Sequence, residues 1–353
     1  MTADEKYMQR CLQLAQNGRG AVSPNPMVGA VVVHNGKIVG EGYHRKYGEA
    51  HAEVNAIGSV EDKSLLKEST IYVSLEPCSH YGKTPPCAQL IIDSGIPRVV
   101  VACLDPYVAV SGRGVEMLKA AGVEVVVGIL VDEAKELNKE FFKSQTEKRP
   151  YIYLKWAQTR DGYIDRLRNE GDKAQPTLIS NNFSQVLVHK KRAEIDAIMI
   201  GTNTAVNDNP SLTTRFWSGK NPARVILDKT RRIPRDNKIF DGNVKTIVFT
   251  EKDEKSSSNV EFRKVCFDDN LLDNILSVLN SCNINSVLVE GGGQLLQAFI
   301  SRDLWDEAYI EVSNAEFGAG IRAPEIVGDV KEELYWGTSK HVHLRHFDNY
   351  KIL

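Results

Sequence analysis

Apolar side chains recur at helical spacing near the start of the chain, and Asn17-Gly18 predicts the end of that helix. The stretch VSPNPMVG at 22–29 is rich in turn residues. An apolar run, the pair Asn35-Gly36 and a second run then predict a β-hairpin over 29–44. The apolar face of the first helix consists of Tyr7, Met8, Cys11, Leu12, Leu14 and Ala15.

Between residues 51 and 130, short apolar runs alternate with amphipathic segments. Residues 51–58 begin a helix, and the segments after them predict strand, helix, strand, helix and strand in turn. Such alternation is typical of helices packed on both faces of a sheet, so we expect a three-layer α/β/α domain. The five segments are STIYVSLEP, CAQLIIDSG, RVVVACLD, GRGVEMLKAAG and VEVVVGIL.

A charged run leads into Pro150, and a new apolar strand starts immediately after it. We place a domain boundary there, which gives a first domain over 1–147 and a second over 148–353. The second half alternates strands and helices again, so we expect another α/β domain. Residues 251–262 are polar and predict a surface loop. The predicted strands are YIYLKWA, AIMIG, ARVILD, KTIVFT and SVLVEG, and the predicted helices are NNFSQVLVHKKRAE and GQLLQAFISRD.

Length and composition narrow the class of protein. The chain has 353 residues, which is long for a single core and favours two domains. No apolar run reaches the roughly 18 residues of a membrane-spanning helix, and the polar N-terminus lacks the features of a signal peptide. We therefore expect a cytoplasmic protein with reduced thiols. The formal net charge of −2 provides no basic excess for binding a nucleic acid.

One histidine, one glutamate and two cysteines form the most informative pattern of the first half. The tripeptide HAE begins a predicted helix at His51, and Cys78 follows a proline at the end of a predicted strand. A zinc ion that activates water needs three protein ligands and one open position, and His51, Cys78 and Cys87 supply the three. Glu53 is placed to take a proton from the water and return it to a leaving amine. Because H-x-E before P-C is the signature of zinc deaminases, the pattern predicts hydrolytic deamination by a zinc-bound hydroxide.

The loop between these two cysteines is longer than the general deaminase pattern. Eight residues, SHYGKTPP, separate Cys78 from Cys87 where the general pattern has two. The loop contains Lys83, which is suited to a phosphate, so we expect a substrate larger than a free base or nucleoside. The remaining cysteines have no partner spacing and are interpreted as core or surface side chains. They are Cys11, Cys103, Cys266 and Cys282.

Glycine-rich and polar segments follow two predicted strands of the second half. SVLVEGGGQLLQAFI places three glycines between a strand and a helix, where backbone N–H groups can reach a phosphate. A simple tight turn is an equally good interpretation of that segment. Arg192 and Arg215 are candidate ligands of a substrate phosphate, with a solvated surface charge as the alternative for each. Polar residues also follow the strand AIMIG, at the edge where open α/β sheets bind ligands: Thr202, Thr204, Asn207 and Asp208.

Long segments of both halves resemble one known family. SPNPMVGAVVV, GEGYHRKYGEAHAEVNAI, YVSLEPCSHYGKTPPCAQLII and GRGVEMLKAAGVEV resemble the deaminase half of the bifunctional riboflavin-biosynthesis deaminase/reductase. YLKWAQTRDGYI, LVHKKRAEIDAIMIGTNTAVNDNPSLTTR and VLVEGGGQLLQAF resemble its reductase half. The resemblance covers nearly the whole chain. It implies a cytidine-deaminase-like three-layer α/β/α domain followed by a dihydrofolate-reductase-like α/β domain.

The resemblance also implies the reactions and the partners of the protein. The first reaction is hydrolytic deamination of 2,5-diamino-6-ribosylamino-4(3H)-pyrimidinone 5′-phosphate, with one zinc ion per deaminase domain. In the second, NADPH donates a hydride to C1′ of the ribosyl side chain and gives 5-amino-6-(5-phospho-ribitylamino)uracil. We expect an enzyme of small molecules that binds neither nucleic acid nor membrane and forms a homo-oligomer, either a dimer or a tetramer.

Three groups of binding residues follow from the same resemblance. Positions that match substrate contacts of the deaminase are Asn25, His44, His80, Lys83 and Thr84. Positions that match the NADP site of the reductase are Thr204, Asp208, Gly291, Gly292 and Gly293. Positions that match its substrate site are Arg192, Leu212, Arg215 and Glu290. Lys155 is expected to face the same cleft, in a substrate or a structural role.

This chain departs from the family at several positions. Pro176 and Leu178 stand where the family has a serine and a tryptophan, and Lys229 stands where it has a serine. The segment DPYVAVSGRG at 105–114 replaces the usual Asp-Pro-Asn-Pro. Two rival functions are a nucleic-acid-editing deaminase and a regulatory protein in which one site has decayed. The long cysteine loop and the lack of basic excess oppose the first, and the complete zinc pattern opposes decay in the first half.

Overall fold

A computed structural model describes residues 1–80, 85–107, 111–169 and 175–347. The chain forms two compact units, Met1–Lys148 and Arg149–Leu353, which we call unit 1 and unit 2. Within the described ranges, every helix falls short of the length and apolar character that crossing a membrane requires. The buried apolar residues group into two core clusters in each unit.

A mixed sheet forms the middle layer of unit 1. Its strands are β1 (Gly29–His34), β2 (Lys37–Tyr43), β3 (Ser69–Val73), β4 (Arg98–Val101) and β5 (Glu124–Val127). In the described part of the unit the sheet has five strands in the order β2-β1-β3-β4-β5. β1 runs antiparallel to β2 and β3, whereas β3, β4 and β5 are parallel to one another. The predicted hairpin is therefore confirmed, with Asn35 and Gly36 between β1 and β2.

Helices cover both faces of this sheet. They are α1 (Ala3–Ala15), α2 (Ala52–Ser59), α3 (Cys87–Asp93), α4 (Arg113–Ala120), α5 (Val131–Leu137) and α6 (Lys139–Glu147). Side chains of α1, α5 and α6 pack with Val31 and Val33 on one face, and side chains of α2, α3 and α4 pack with Ala30 and Val32 on the other. Because alternate residues of β1 point to opposite faces and both faces are covered, its residues are nearly all apolar. The expected three-layer α/β/α arrangement is confirmed.

Unit 2 is built on a larger sheet. Its strands are β6 (Tyr151–Gln158), β7 (Tyr163–Asp165), β8 (Ala197–Gly201), β9 (Ala223–Leu227), β10 (Thr246–Thr250), β11 (Val260–Lys264), β12 (Ser286–Gly291), β13 (Glu307–Val312), β14 (Ile321–Arg322), β15 (Asp329–Trp336) and β16 (Ser339–Arg345). The described residues form a nine-stranded sheet in the order β11-β10-β9-β8-β12-β6-β13-β16-β15 and a small sheet of β14 with β7. The strands from β11 to β13 in this order are parallel, and β16 is antiparallel to both of its neighbours.

The helices of unit 2 are α7 (Asn182–Glu194), α8 (Thr202–Asp208), α9 (Leu271–Ser281) and α10 (Gly293–Ser301). Side chains of α9 and α10 pack on one face of the sheet with Val287 and Val289. Ala205 of α8 packs on the other face with Ile198 and Leu288. The carboxyl ends of β8, β12 and β6 therefore meet at one edge, where parallel sheets bind ligands.

One sequence expectation about unit 2 needs correction. Residues 251–262 were expected to form a polar surface loop, but Val260 begins β11, which pairs with β10 at the edge of the sheet. Val260 packs in the core with Phe262 against it, while the charged residues around them weaken the apolar pattern of an edge strand. The polar residues 202–208 do follow the strand β8, as expected, and they form helix α8.

Candidate active sites

Three side chains from different elements of unit 1 meet in a cluster suited to a metal ion. His51 immediately precedes α2, Cys78 follows β3, and Cys87 is the first residue of α3. Their ligand atoms lie within 4.8 Å of one another. Nδ1 of His51 is 3.7 Å from Sγ of Cys78 and 3.4 Å from Sγ of Cys87. The cluster therefore brings together the residues that the sequence pattern singled out.

These distances agree with the dimensions of a tetrahedral zinc site. With Zn–S near 2.3 Å and Zn–N near 2.05 Å, tetrahedral angles separate a nitrogen from a sulfur ligand by about 3.6 Å. The two nitrogen–sulfur distances lie on either side of that value. One imidazole and two thiolates are a ligand set that zinc takes in catalytic sites, where the fourth position stays open. The residues present therefore fit a zinc ion.

The surroundings of the two thiols favour a thiolate. The backbone N–H of Cys87 donates a hydrogen bond to Sγ of Cys78 at 3.3 Å. A hydrogen bond from the Cys87 thiol, together with His51, lowers the pKa of Cys78. The same thiol–thiol bond, together with burial, raises the pKa of Cys87. Because a zinc ligand must be deprotonated, binding of zinc by these residues would require Cys87 to lose its thiol proton as well.

Glu53 lies in the first turn of α2 and is buried beside the same cluster. Burial raises the pKa of its carboxyl to about 7, and His51 and Cys87 are among the groups that act on it. Because Glu53 follows His51 by two residues, its carboxyl lies next to the metal ligands at the start of α2. A buried carboxyl of this kind can hold or release a proton near neutral pH.

Asn25 and His44 form a hydrogen-bonded pair next to the cluster. The imidazole rings of His44 and His51 are in edge contact, with centroids 5.5 Å apart. Nδ1 of His44 faces the carbonyl oxygen of Ala50 at 3.1 Å, so this nitrogen carries the proton. Nε2 of His44 then accepts from the side-chain amide of Asn25 at 3.2 Å. Burial lowers the pKa of His44, which agrees with a neutral ring.

The other expected contacts of unit 1 lie in the loop between the cysteines. His80 is exposed. Burial raises the pKa of the half-buried carboxyl of Asp105 to about 6, and the charge of His80 acts to lower it. Lys83 and Thr84 lie outside the described residues.

In unit 2, two arginines and a glutamate lie near one another where the carboxyl ends of the parallel strands meet. Arg192 of α7 donates two hydrogen bonds to Glu290 of β12, at 2.9 and 2.5 Å, and this ion pair is largely buried. Arg192 also donates to the carbonyl oxygen of Thr213 at 3.2 Å. Arg215 lies two residues further on, and its guanidinium donates to Oγ1 of Thr213 at 3.3 Å. The side chain of Leu212, which the sequence assigned to the substrate site, is buried in the core.

Sequence reasoning missed a histidine of this cluster. His189 precedes Arg192 by one helical turn on α7, and its Nδ1 accepts a hydrogen bond from the backbone N–H of Arg215 at 2.8 Å. Burial, with the two arginines, lowers its pKa to about 4, so the ring is neutral. The three-residue spacing on a predicted helix was the available signal. Lys155 of β6, which the sequence placed near this cleft, is half-buried; burial lowers its pKa, and nearby Glu290 acts in the opposite direction.

The glycine turn between β12 and α10 contacts α8. A Cβ added at Gly291 or Gly292 would lie 3.4 or 3.1 Å from Oγ1 of Thr204. Gly291 has a φ of 143°, a value that residues other than glycine rarely adopt. The turn therefore presents backbone rather than side chains at the start of a helix, as phosphate sites do.

Asp208, at the end of α8, is held in an ion pair that the sequence did not predict. Nη2 of Arg168 lies 3.2 Å from Oδ1 of Asp208, and the same guanidinium bonds to Asp165 of β7. Thr177 also donates to Asp165. Burial raises the pKa of Asp208 to about 6, against the effect of Arg168. The expected nucleotide-binding residues thus lie along one edge, from the glycine turn through Thr204 to this ion pair.

Two sequence families match the chain. The cytidine and deoxycytidylate deaminase zinc-binding region matches residues 1–103, and the RibD C-terminal domain matches residues 150–349. The first range contains His51, Glu53, Cys78 and Cys87. The second contains the arginine cluster and the glycine turn.

Individual relatives resemble the chain over nearly its whole length. The riboflavin biosynthesis protein RibD of Aquifex aeolicus (strain VF5) is 41% identical over 337 residues, which cover 94% of this chain and 93% of that protein. RibD of Escherichia coli (strain K12) is 35% identical over 337 residues, with 90% of each chain covered. The crystal structure of a diaminohydroxyphosphoribosylaminopyrimidine deaminase/5-amino-6-(5-phosphoribosylamino)uracil reductase from Thermotoga maritima has a TM-score of 0.85 at 38% identity, and covers 98% of this chain and 99% of that one.

Proposed function

Because the chain belongs to the family of RibD, the bifunctional deaminase and reductase of riboflavin biosynthesis, we propose that unit 1 carries the deamination and unit 2 the reduction. The protein is an enzyme with both activities, and its family uses zinc and NADPH. The division between the units is supported by the zinc-type cluster in unit 1 and the arginine cluster with the glycine turn in unit 2. The boundary falls next to Pro150, where unit 2 begins at Arg149.

For unit 1 we propose that His51, Cys78 and Cys87 hold the zinc ion. When bound, zinc supplies the Lewis acidity that makes water nucleophilic near neutral pH. Glu53 then accepts a proton from the attacking water and returns it to the amine that leaves the pyrimidine carbon as ammonia. The burial of Glu53 supports this role, because it excludes bulk water from the proton transfer.

Asn25 and His44 are proposed to orient the pyrimidine in unit 1. His44 uses both ring nitrogens within the protein, so it fixes the amide plane of Asn25 rather than exchanging protons. The amide of Asn25 can then accept from an amino group of the substrate. His80, Lys83 and Thr84 are proposed to contact the phosphoribosyl part, since a substrate larger than a base explains the long loop between the zinc cysteines.

For unit 2 we propose that Arg192 and Arg215 bind the substrate phosphate. Glu290 pairs with Arg192 and fixes its guanidinium, so of the two arginines Arg215 is the one without an ion pair among the described residues. Leu212 is proposed to contribute to this site by packing in the core and supporting the segment that carries Arg215. Lys155 lies close to Glu290 on the neighbouring strand and is proposed to face the ribosyl group.

The nucleotide is proposed to lie along the edge formed by Gly291, Gly292, Gly293, Thr204 and Asp208. NADPH supplies the hydride that C1′ of the ribosyl side chain receives. The glycine turn leaves room for the diphosphate next to the start of α10, and Thr204 lies against that turn. The protein's part is to hold both reactants at one edge and to exclude water from them.

The observation that carries this proposal is the meeting of His51, Cys78 and Cys87 at zinc-site distances, with Glu53 buried beside them. The test is incubation with the diaminopyrimidine ribotide, with and without NADPH. Ammonia release and loss of NADPH absorbance are followed separately. We expect ammonia in both samples and NADPH oxidation only after deamination. Equal ammonia release from single-stranded DNA or tRNA, or no ammonia from the ribotide, would contradict the assignment.

We also propose a homo-oligomeric enzyme that works in the cytoplasm. Strand β15 lies at the end of the sheet of unit 2 with exposed Val330, Leu334, Tyr335 and Trp336, a surface typical of subunit contacts. The zinc thiols must stay reduced, which supports a reducing compartment. Light scattering of the purified protein tests the first point, and a monomer at micromolar concentration would contradict it.

A further inference from the structure

A buried carboxylate lies two residues before the zinc-site residue Cys78. The side chain of Glu76 is only 4% exposed, and its own backbone N–H donates to the carbonyl oxygen of Cys103. Both oxygens accept from backbone N–H groups at 2.9–3.2 Å. The donors are Asp105, Gly112, Gly114 and Val115. Glu76 therefore ties the segment after β3 to the segment between β4 and α4.

The side chain of Glu76 caps the N-terminus of helix α4. The residue before the helix is Gly112, which has no side chain, and its φ of 79° is one that glycine tolerates. The second and third N–H groups of the helix, at Gly114 and Val115, donate instead to one oxygen of Glu76. A negative charge at this end of a helix is also stabilised by the helix dipole.

Helix α4 in turn rests on the backbone next to Cys78. A Cβ at Gly114 would lie 2.0 Å from the carbonyl oxygen of Pro77, so the two main chains are in direct contact. On its other side, Cys78 accepts hydrogen bonds from the start of α3, where Ala88 donates to its carbonyl oxygen at 3.1 Å. Cys78 is thus clamped between α4 and α3, and the carboxylate of Glu76 fixes the first of these contacts.

We propose that Glu76 is a positioning residue of the deaminase site. It holds the backbone of Cys78 in the position that metal binding requires, and it fixes Asp105 at the start of the segment that leads to α4. This inference rests on the proposed function of unit 1. Among the described residues, the hydrogen bonds to the Glu76 carboxylate come from main-chain N–H groups and not from the metal-ligand side chains. Replacing a group that orients a metal ligand without binding the metal typically changes metal affinity or activity about 10- to 100-fold.

Glu76→Gln is the primary test, because the added amide places a donor against two backbone donors while the size of the side chain is kept. Glu76→Asp, which keeps the charge but shortens the reach, is the second variant. Glu116→Gln is the matched control, since Glu116 is exposed in the first turn of the same helix and loses the same charge. Each protein is examined for its rate of zinc loss to a chelator, for the visible spectrum of its cobalt-substituted form, and for kcat and KM of ammonia release. Reductase activity and thermal unfolding of the same preparations report on folding.

For Glu76→Gln we expect zinc loss about tenfold faster or more, an altered cobalt–thiolate spectrum and a lower deaminase kcat, with reductase activity retained. Glu116→Gln should match the original protein in all measurements. If the glutamine variant does not fold, the aspartate variant should still lose zinc faster. A wild-type rate of zinc loss with an unchanged cobalt spectrum, in whichever variant folds, overturns the proposal. A fall in thermal stability alone also overturns it. The zinc-loss rate and the cobalt spectrum do not require deaminase activity. If the proposed reaction itself is wrong, the unmodified protein will release no ammonia, and this result is distinct from an unchanged zinc-loss rate in the variants.

Discussion

Replacement of Arg215 by alanine tests the proposed division of labour between the two arginines of unit 2. Arg192 is bound bidentately by Glu290, so of the two arginines Arg215 is the one whose charge is not already held by a carboxylate. Among the described residues, the guanidinium of Arg215 donates only to Thr213, at 3.3 Å. Its removal should therefore weaken ligand binding much more than folding.

The size of the effect follows from the contact that is lost. A hydrogen bond to a charged group contributes about 1.5–3 kcal/mol. Since about 1.4 kcal/mol corresponds to a factor of ten, KM for the phosphorylated substrate should rise about 10- to 150-fold. The phosphate is bound equally in the ground state and the transition state, so kcat of reduction should change little.

The assay measures NADPH oxidation with the deaminated intermediate and with the same compound after removal of its phosphate. The original protein should prefer the phosphorylated compound, and Arg215→Ala should lose most of that preference while treating the dephosphorylated compound normally. Arg235→Ala is the control, because Arg235 is an exposed arginine of the same unit outside the cluster. An equal rise in KM for both compounds, or an unchanged KM for the phosphorylated one, would refute the assignment of Arg215 to the phosphate.

Four further variants test other parts of the two sites. Glu53→Gln should retain zinc by metal analysis yet release no ammonia, and sustained turnover would remove Glu53 from the proton transfer. Cys87→Ala should lower bound zinc, and full occupancy would exclude Cys87 as a ligand. Gly292→Val should raise KM for NADPH because its Cβ meets a hydroxyl of α8 at 3.1 Å, while ammonia release stays normal; an unchanged KM would count against a nucleotide at this turn. Arg192→Leu leaves Glu290 buried and unpaired, so denaturant unfolding should show unit 2 destabilised by about 3–5 kcal/mol, and unaltered stability would contradict the strength of that pair.

The sequence pattern predicted most of unit 1, because the features that define this unit depend on residues close together in the sequence. The hairpin follows from Asn35 and Gly36 between apolar runs, and the three-layer arrangement follows from the alternation of strands and helices. The residues His51, Cys78 and Cys87 could be chosen from spacing, since zinc chemistry restricts which side chains can serve. Their roles remain predictions, but the structure places their ligand atoms within reach of one ion.

Features that depend on long-range pairing could not be predicted. Val260 and Phe262 of β11 are surrounded by charged residues, so the strand is recognised only when β10 lies beside it. The four donors to Glu76 come from 29 to 39 residues further along the chain, and no spacing rule connects them. Similarly, Arg168 was not expected to pair with Asp208, 40 residues away. In each case tertiary contacts, rather than local pattern, decide the role of the residue.

The ion pair between Arg192 and Glu290 has a consequence for how unit 2 receives its substrate. The guanidinium is already held at two points by the carboxylate and at a third by the carbonyl oxygen of Thr213. Its rotamer entropy is thus lost during folding, and ligand association does not have to supply it again. The Arg192 side of the anion site is therefore rigid before the ligand arrives, and inorganic phosphate alone should bind beside it without rearranging α7.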